Sequence, residues 1–164
     1  LILPGVGAFD ATMQELNNSG LREALDEQVL VRSKPVLGIC VGMQILSEGS
    51  DEGKLGGLGW IEGEVKKFDV SKIMEKPYLP HMGWNNVVAS LASKLFEGVE
   101  DESFYFVHSY AAKEPVPESA NTMTNYGENF VAAVEQDFIV ATQFHPEKSG
   151  AAGAKLISNW VKTL

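Results

Sequence analysis

At 164 residues, with 45% hydrophobic and 21% charged residues, the chain is long enough to bury one core without disulfides or a structural metal, and its composition excludes a disordered or fibrous protein. Acidic residues outnumber Lys and Arg 22 to 13, for a net charge of −9, which opposes a nucleic acid or an anionic membrane as partner. No apolar run approaches the roughly 18 to 20 residues that cross a bilayer, no signal peptide is visible, and the single cysteine cannot close an internal disulfide, so the expected setting is the cytoplasm.

The chain opens on the apolar run Leu1-Ile2-Leu3 without an initiating methionine. This reads as the end of a strand entering the turn Pro4-Gly5-Val6-Gly7, whose glycines allow conformations that a Cβ forbids. Helical spacing follows: Phe9, Met13 and Leu16 form one apolar stripe, Leu21, Leu25 and Val29 another, and Asn17-Asn18-Ser19-Gly20 separates them. Pro35-Val36-Leu37-Gly38-Ile39 is continuously apolar, as a strand buried on both faces would be. Helical spacing resumes at Val41, Ile45 and Leu46, so Cys40 falls at a strand-to-helix junction. Residues 48–59, rich in Gly, Ser and Asp, read as a surface loop. Beyond them, residues 60–65, 85–88, 103–107, 130–134 and 138–142 read as strands, several close enough to pair antiparallel, so the sheet is expected to be mixed. Ser149 is the expected N-cap of a last helix carrying Leu156, Ile157, Trp160, Val161 and Leu164 on one face. No repeat or linker divides the chain, and one domain over 1–164 is expected.

Gly38-Ile39-Cys40-Val41-Gly42 has the G-x-nucleophile-x-G form of a nucleophile elbow. The flanking glycines let the turn close, and at the mouth of the following helix the thiol is expected to meet a positive dipole end that favours thiolate. The Val41 N–H, unpaired in the first helical turn, can face an oxyanion on an attacked carbonyl. The alternative is an inert buried cysteine. In Ala141-Thr142-Gln143-Phe144-His145-Pro146-Glu147-Lys148, a strand ends in a histidine with a carboxylate two residues on. Such a histidine can take a thiol proton and return one to a leaving group, while the carboxylate fixes its tautomer. Alone, the triplet could equally be a surface turn before a helix.

The turn at residues 4–7 can aim a second N–H, from Val6 or Gly7, into the same oxyanion hole, or be an ordinary turn. His81 and His108 stand far apart in the sequence and away from any Cys or carboxylate at metal-ligand spacing, so they read as structural and no metal site is expected. Tyr78, Trp84 and Tyr105 read as packing, the run from Pro80 to Asn85 as a shaped surface loop, and residues 97–102 as a solvated acidic face.

Together these pieces resemble the class I, or triad, glutamine amidotransferases, and among them the glutaminase subunits of imidazole glycerol phosphate synthase, along the whole chain. The resemblance is carried by Leu3-Pro4-Gly5-Val6-Gly7-Ala8-Phe9, Gly38-Ile39-Cys40-Val41-Gly42-Met43-Gln44, Pro80-His81-Met82-Gly83-Trp84-Asn85, Tyr105-Phe106-Val107-His108-Ser109-Tyr110 and residues 141–150. The elbow and Phe144-His145-Pro146-Glu147 are shared by the wider family; the run at residues 80–85 points to the histidine-biosynthesis members. The resemblance implies a flavodoxin-like, three-layer α/β fold with a mixed, mostly parallel sheet flanked by helices. It implies that Cys40 attacks the side-chain amide of glutamine to form a γ-glutamyl thioester, that His145 protonates the departing ammonia and then activates water, and that Glu147 orients His145.

By the same resemblance Gln44 and Glu52 hold the substrate, Ser109 and Tyr110 line its pocket, and Val6 and Val41 supply the oxyanion N–H groups, without any cofactor. The family works as a heterodimer that passes ammonia to a (β/α)8 cyclase subunit, with Pro80, His81, Met82, Gly83, Trp84 and Asn85 at the interface and little activity in the isolated subunit. Family members carry a strand, a helix and a glycine-containing loop ahead of the position of Leu1, so the domain is expected to be N-terminally incomplete, lacking its first strand-helix unit. Three other readings stay open: a triad amidotransferase of another synthase, a cysteine hydrolase that needs no partner, and a non-catalytic binding subunit.

Overall fold

The computed structural model describes residues 1–74 and 77–164. Strand β1 (Ile2–Gly5) leads to helix α1 (Phe9–Asn18), which buries Phe9 and Met13 on the expected stripe. Helix α2 (Arg22–Asp26) continues into a π-helical turn, Glu27–Val31, that buries Val29. Strand β2 (Val36–Cys40) is buried along its whole length and passes directly into the short helix α3 (Val41–Gln44). Then come β3 (Gly49–Ser50), β4 (Glu64–Lys67), β5 (His81–Asn86), β6 (Ser103–His108), β7 (Tyr110–Ala112), β8 (Ala120–Asn125), β9 (Asn129–Gln136) and β10 (Ile139–Thr142). A 3₁₀ turn, Pro146–Lys148, and helix α4 (Gly150–Val161) close the chain.

The main sheet has the order β1-β2-β10-β9-β8. Strands β1, β2 and β10 run parallel, and β9 and β8 add to them antiparallel. The sheet is therefore mixed as expected, its parallel half confined to the three strands that carry the sequence motifs. The smaller sheets are β3-β4-β7 and β5-β6. Residues of β2, β9 and β10 alternate between two cores. Leu37, Ile39, Val140 and Phe130 pack with Leu156 and Trp160 of α4 and with Phe104 and Phe106 of β6. Val36, Val131, Ile139 and Ala141 pack on the other face with Phe9 and Met13 of α1. Sheet and helices thus form the three expected layers, each core burying mostly Val, Ile, Leu and Phe.

The outer parts of the chain depart from the sequence reading. Residues 60–63 are not strand: Trp60 and Ile61 are buried in a loop, with Trp60 Nε1 donating to Asp26 at 2.7 Å. Residues 80–85, read as a surface loop, mostly form β5, paired antiparallel with β6 in the register His81↔His108. Met82 and Trp84 point to solvent while His81 turns inward. Val161 at the end of α4 and Leu164 beyond it are exposed, and buried Asn159 of α4 instead bonds the Leu95 and Glu97 carbonyls. Ser149 stands at the N-cap but makes no capping bond. Its hydroxyl instead accepts from Tyr105 N at 3.0 Å and donates to the His145 carbonyl at 2.7 Å, tying β6 to the chain that follows β10.

Candidate active site

Three adjacent parallel strands end together. Gly5 lies beside Cys40, and Thr142 beside Ile39, so the chain leaving β1, β2 and β10 emerges at one edge of the sheet. Open α/β sheets bind ligands at this carboxyl edge. The alignment brings the Val6-Gly7 turn, the Cys40 elbow and the Gln143-to-Glu147 segment into one neighbourhood, although up to 140 residues separate them along the chain.

Cys40 adopts φ +56° and ψ −112°, a left-handed backbone that an L-residue holds only under constraint from its surroundings. The glycines around it make the constraint possible. A Cβ on Gly42 would lie 1.8 Å from the Leu3 carbonyl oxygen, and one on Gly38 2.9 Å from the Gly42 carbonyl oxygen, so both glycines are required by close approach of β1, β2 and α3. The result is the sharp strand-to-helix turn that the sequence pattern predicts.

The thiolate expectation does not hold for the chain on its own. Burial pushes the Cys40 thiol up to about 11, against smaller opposing effects of the Val41 N–H, Lys148 and Gln143. The helix that was to favour thiolate, α3, has only four residues, too few for much of a dipole, while the cysteine itself is buried. The sulfur lies 3.9 Å from the Val107 carbonyl oxygen, the acceptor for its proton.

His145 is buried, and Nδ1 meets Glu147 Oε1 at 2.6 Å. A carboxylate accepts, so Nδ1 donates, and in the neutral imidazole the lone pair is on Nε2. Nε2 is buried without a hydrogen-bond partner among the described residues. The loop is anchored from both sides: His145 N donates to the Tyr105 carbonyl at 2.9 Å, and the Ser149 hydroxyl holds the His145 carbonyl. Pro146 opens the 3₁₀ turn that swings Glu147 back toward the imidazole. The histidine and its carboxylate are thus a preformed unit.

A cleft of about 320 Å³ opens on the sulfur and is lined by Val6, Gly7, Cys40, Val41, Gln44, Glu52, Ser109 and Tyr110, all of them expected at the site, together with Pro80, Val107 and His108. Val6 is 77% exposed at its mouth. Glu52 Oε2 accepts from Phe9 N at 2.8 Å, fastening the loop after β3 to the first turn of α1 and placing a carboxylate at the cleft. Of the residues expected at a partner surface, Met82 and Trp84 are exposed, whereas His81 is buried against His108, with Nδ1 and Nε2 3.0 Å apart. His108, structural by its sequence context, lines the cleft, and Gln143, to which the motifs assign no role, reaches the sulfur; each immediately precedes a residue of a motif, and that adjacency is the signal the sequence offers.

A left-handed cysteine elbow ends one strand and a buried histidine bound to an exposed carboxylate follows the next, at the carboxyl edge of a three-layer α/β fold, an arrangement of the kind that cysteine-dependent acyl transfer uses. The sequence pattern of the class-I glutamine amidotransferase family matches residues 1–164, and the chain belongs to that family. It is 46% identical over 163 residues to imidazole glycerol phosphate synthase subunit HisH 2 of Pseudomonas aeruginosa, covering 99% of this chain and 79% of that protein. To subunit HisH of Bdellovibrio bacteriovorus it is 48% identical over 161 residues, 98% of this chain and 79% of that one. The fold matches the crystal structure of a glutamine amidotransferase with a TM-score of 0.72 at 17% identity, covering 99% of this chain and 77% of the other. A glutamine amidotransferase from Thermotoga maritima gives 0.61 at 17% identity, covering 99% and 61%. No helix among the described residues is long and apolar enough to cross a membrane.

Proposed function

We propose that the chain is the cytoplasmic glutaminase subunit of an imidazole glycerol phosphate synthase, hydrolysing glutamine to glutamate and ammonia through a thioester on Cys40. The carrying observation is the Cys40 elbow at the end of β2, next to the strand β10 that leads into His145, whose Nδ1 is held by Glu147, in a chain nearly half identical to subunits of that synthase. Glutamine enters the cleft with its ammonium toward Glu52 and its side-chain amide toward Cys40. The thiol proton passes to His145 Nε2 as sulfur bonds to the amide carbon, and the oxygen takes up negative charge near the N–H groups of Val41 and of Val6 or Gly7. The C–N bond then breaks, and ammonia leaves with the proton from Nε2. Water gives a proton to Nε2 and attacks the thioester; the C–S bond breaks, sulfur recovers its proton, and glutamate departs.

The resting geometry supports a partner-dependent enzyme over a free-standing hydrolase. Burial pushes the thiol up, its sulfur lies 3.9 Å from the Val107 carbonyl, and His145 Nε2 makes no hydrogen bond to it. The exposed Met82 and Trp84 on β5 offer apolar surface close to the cleft, and a cyclase subunit of the (β/α)8 kind docking there would receive the ammonia. The test is glutamate release from glutamine by the chain alone and with a histidine-pathway cyclase subunit plus its nucleotide ligand. Turnover is expected only with partner and ligand. Equal turnover by the chain alone contradicts the partner-dependent reading, and silence with this partner but activity with another synthase contradicts the assignment.

A further inference from the structure

The carbonyl of Tyr110 accepts two hydrogen bonds at 2.9 Å, one from Nε2 of Gln44 and one from Nδ1 of His108. A carbonyl can only accept, so it sets the direction of both chains of bonds that leave it. On one side Gln44 presents its amide nitrogen, and the same nitrogen donates at 3.0 Å to Oε1 of Gln143. Gln143 is thereby held with its oxygen toward Gln44 and its amide N–H toward Cys40 Sγ, at 3.7 Å. On the other side, His108 protonated on Nδ1 accepts at Nε2, so His81 donates from Nδ1 at 3.0 Å and accepts from Asn85 Nδ2 at 3.3 Å. Gln44, Gln143, His81 and His108 are all buried, where one reversed amide or tautomer leaves polar atoms facing each other unpaired.

Gln143 is fully enclosed, between Thr142 and Phe144, and its main-chain N–H is already satisfied by the Ala132 carbonyl. Burying an amide side chain costs free energy unless its partners are in place. Its bond to Gln44 accounts for the oxygen; its bond to sulfur accounts for the nitrogen.

We propose, building on the triad reading above, that Gln143 is a catalytic residue whose amide N–H stabilises the negative charge on Cys40 Sγ when the thiol proton leaves. Gln44, the Tyr110 carbonyl and the His108–His81 pair are positioning groups that keep this amide from turning over. Reversed, it would set Oε1 against the sulfur and repel the thiolate. A hydrogen bond to a charged acceptor is stronger than one to a neutral acceptor, so the contact matters little to the resting thiol and more to the thiolate.

The experiment is alkylation of Cys40 by iodoacetamide across pH 7 to 10 in the unmutated chain and in Gln143→Met and Gln143→Glu. Gln143→Met keeps the volume and removes the donor; Gln143→Glu keeps an acceptor for Gln44 and removes the donor to sulfur. The expected result is an alkylation rate at pH 8 about tenfold lower in Gln143→Met and lower still in Gln143→Glu, the whole profile shifting to higher pH. With the cyclase partner, kcat falls by a similar factor while KM for glutamine changes little. Unshifted profiles in folded variants overturn the proposal, as does a loss of turnover through KM alone. If neither variant folds, the Gln143 side-chain amide resonances of the unmutated chain decide: they must move when the thiol is titrated, and constant shifts overturn it. Because alkylation needs no glutamine, a failure of the glutaminase reading would show as turnover by Cys40→Ala, independently of these profiles.

Discussion

Two regions of the molecule bury histidine, and they do so differently. After β10, His145 has Nδ1 bound to a carboxylate and Nε2 enclosed with no partner among the described residues. Between β5 and β6, His81 and His108 have all four ring nitrogens engaged, by each other, by Asn85 and by the Tyr110 carbonyl. Burial pushes His81 down to about 4 and His108 down to about 3, so both are neutral at physiological pH. A buried nitrogen left without a partner is costly, and at His145 that cost is retained where a proton must be taken up. Where every nitrogen is satisfied, the histidine fixes geometry and does not exchange protons. The difference separates a base from a scaffold, although both kinds are equally hidden from solvent.

The largest effects should fall on the region with the free nitrogen. Cys40→Ala and His145→Ala should each lower kcat for glutamine hydrolysis by about 10⁴-fold or more, and the double variant should be little worse than either, since the two act as one unit. Steady-state rates in the presence of partner give this directly, and additive losses would break the comparison. Glu147→Ala should cost about 10- to 100-fold less than His145→Ala, because it removes orientation and leaves the base itself in place. Equal losses would mean that the roles are reversed.

In the saturated region the effects belong to stability. His108→Leu orphans the donor of His81 and should cost about 1–3 kcal/mol in urea unfolding, with activity changed far less than by His145→Ala. The smallest effect is the pH dependence. Both histidines titrate below their ordinary 6.5 when folded, so as pH falls the unfolded chain takes up protons first. The stability that the pair contributes is therefore complete above about pH 6.5 and is lost progressively as pH falls through about 4 for His81 and toward about 3 for His108. Replacing His81 by Phe keeps the stack between Phe106 and Tyr126 and should flatten that decline, by under about 2 kcal/mol between pH 7 and 5. An unchanged slope would show that the pair titrates normally.

The site was legible wherever chemistry and backbone geometry coincide in a short segment. Gly38-Ile39-Cys40-Val41-Gly42 announces its turn because Gly38 and Gly42 sit where a Cβ would strike backbone, and His145-Pro146-Glu147 needs only a 3₁₀ turn to close its hydrogen bond. What was not legible depends on partners distant in sequence. The pairing of His81 with His108 follows from the β5-β6 register, 27 residues apart, and no spacing rule points to it. Strand β8 escaped notice because its buried positions are Thr122 and Thr124, so the apolar alternation that marks a strand is missing; Thr124 satisfies its hydroxyl on the Asn86 carbonyl. Trp60 and Ile61 read as strand because they are apolar, but they fill a core from a loop. The thiol's raised titration likewise arises from its burial in the folded chain, which no residue near Cys40 reveals.

The most direct test of the account is the covalent intermediate. The chain, mixed with cyclase partner, nucleotide ligand and glutamine, would be quenched in acid within the first turnovers and digested for mass spectrometry. A γ-glutamyl group on the peptide containing Cys40, absent from Cys40→Ala, is the predicted result. Glutamate released at full rate by Cys40→Ala, with no acylated peptide at any quench time, would contradict it.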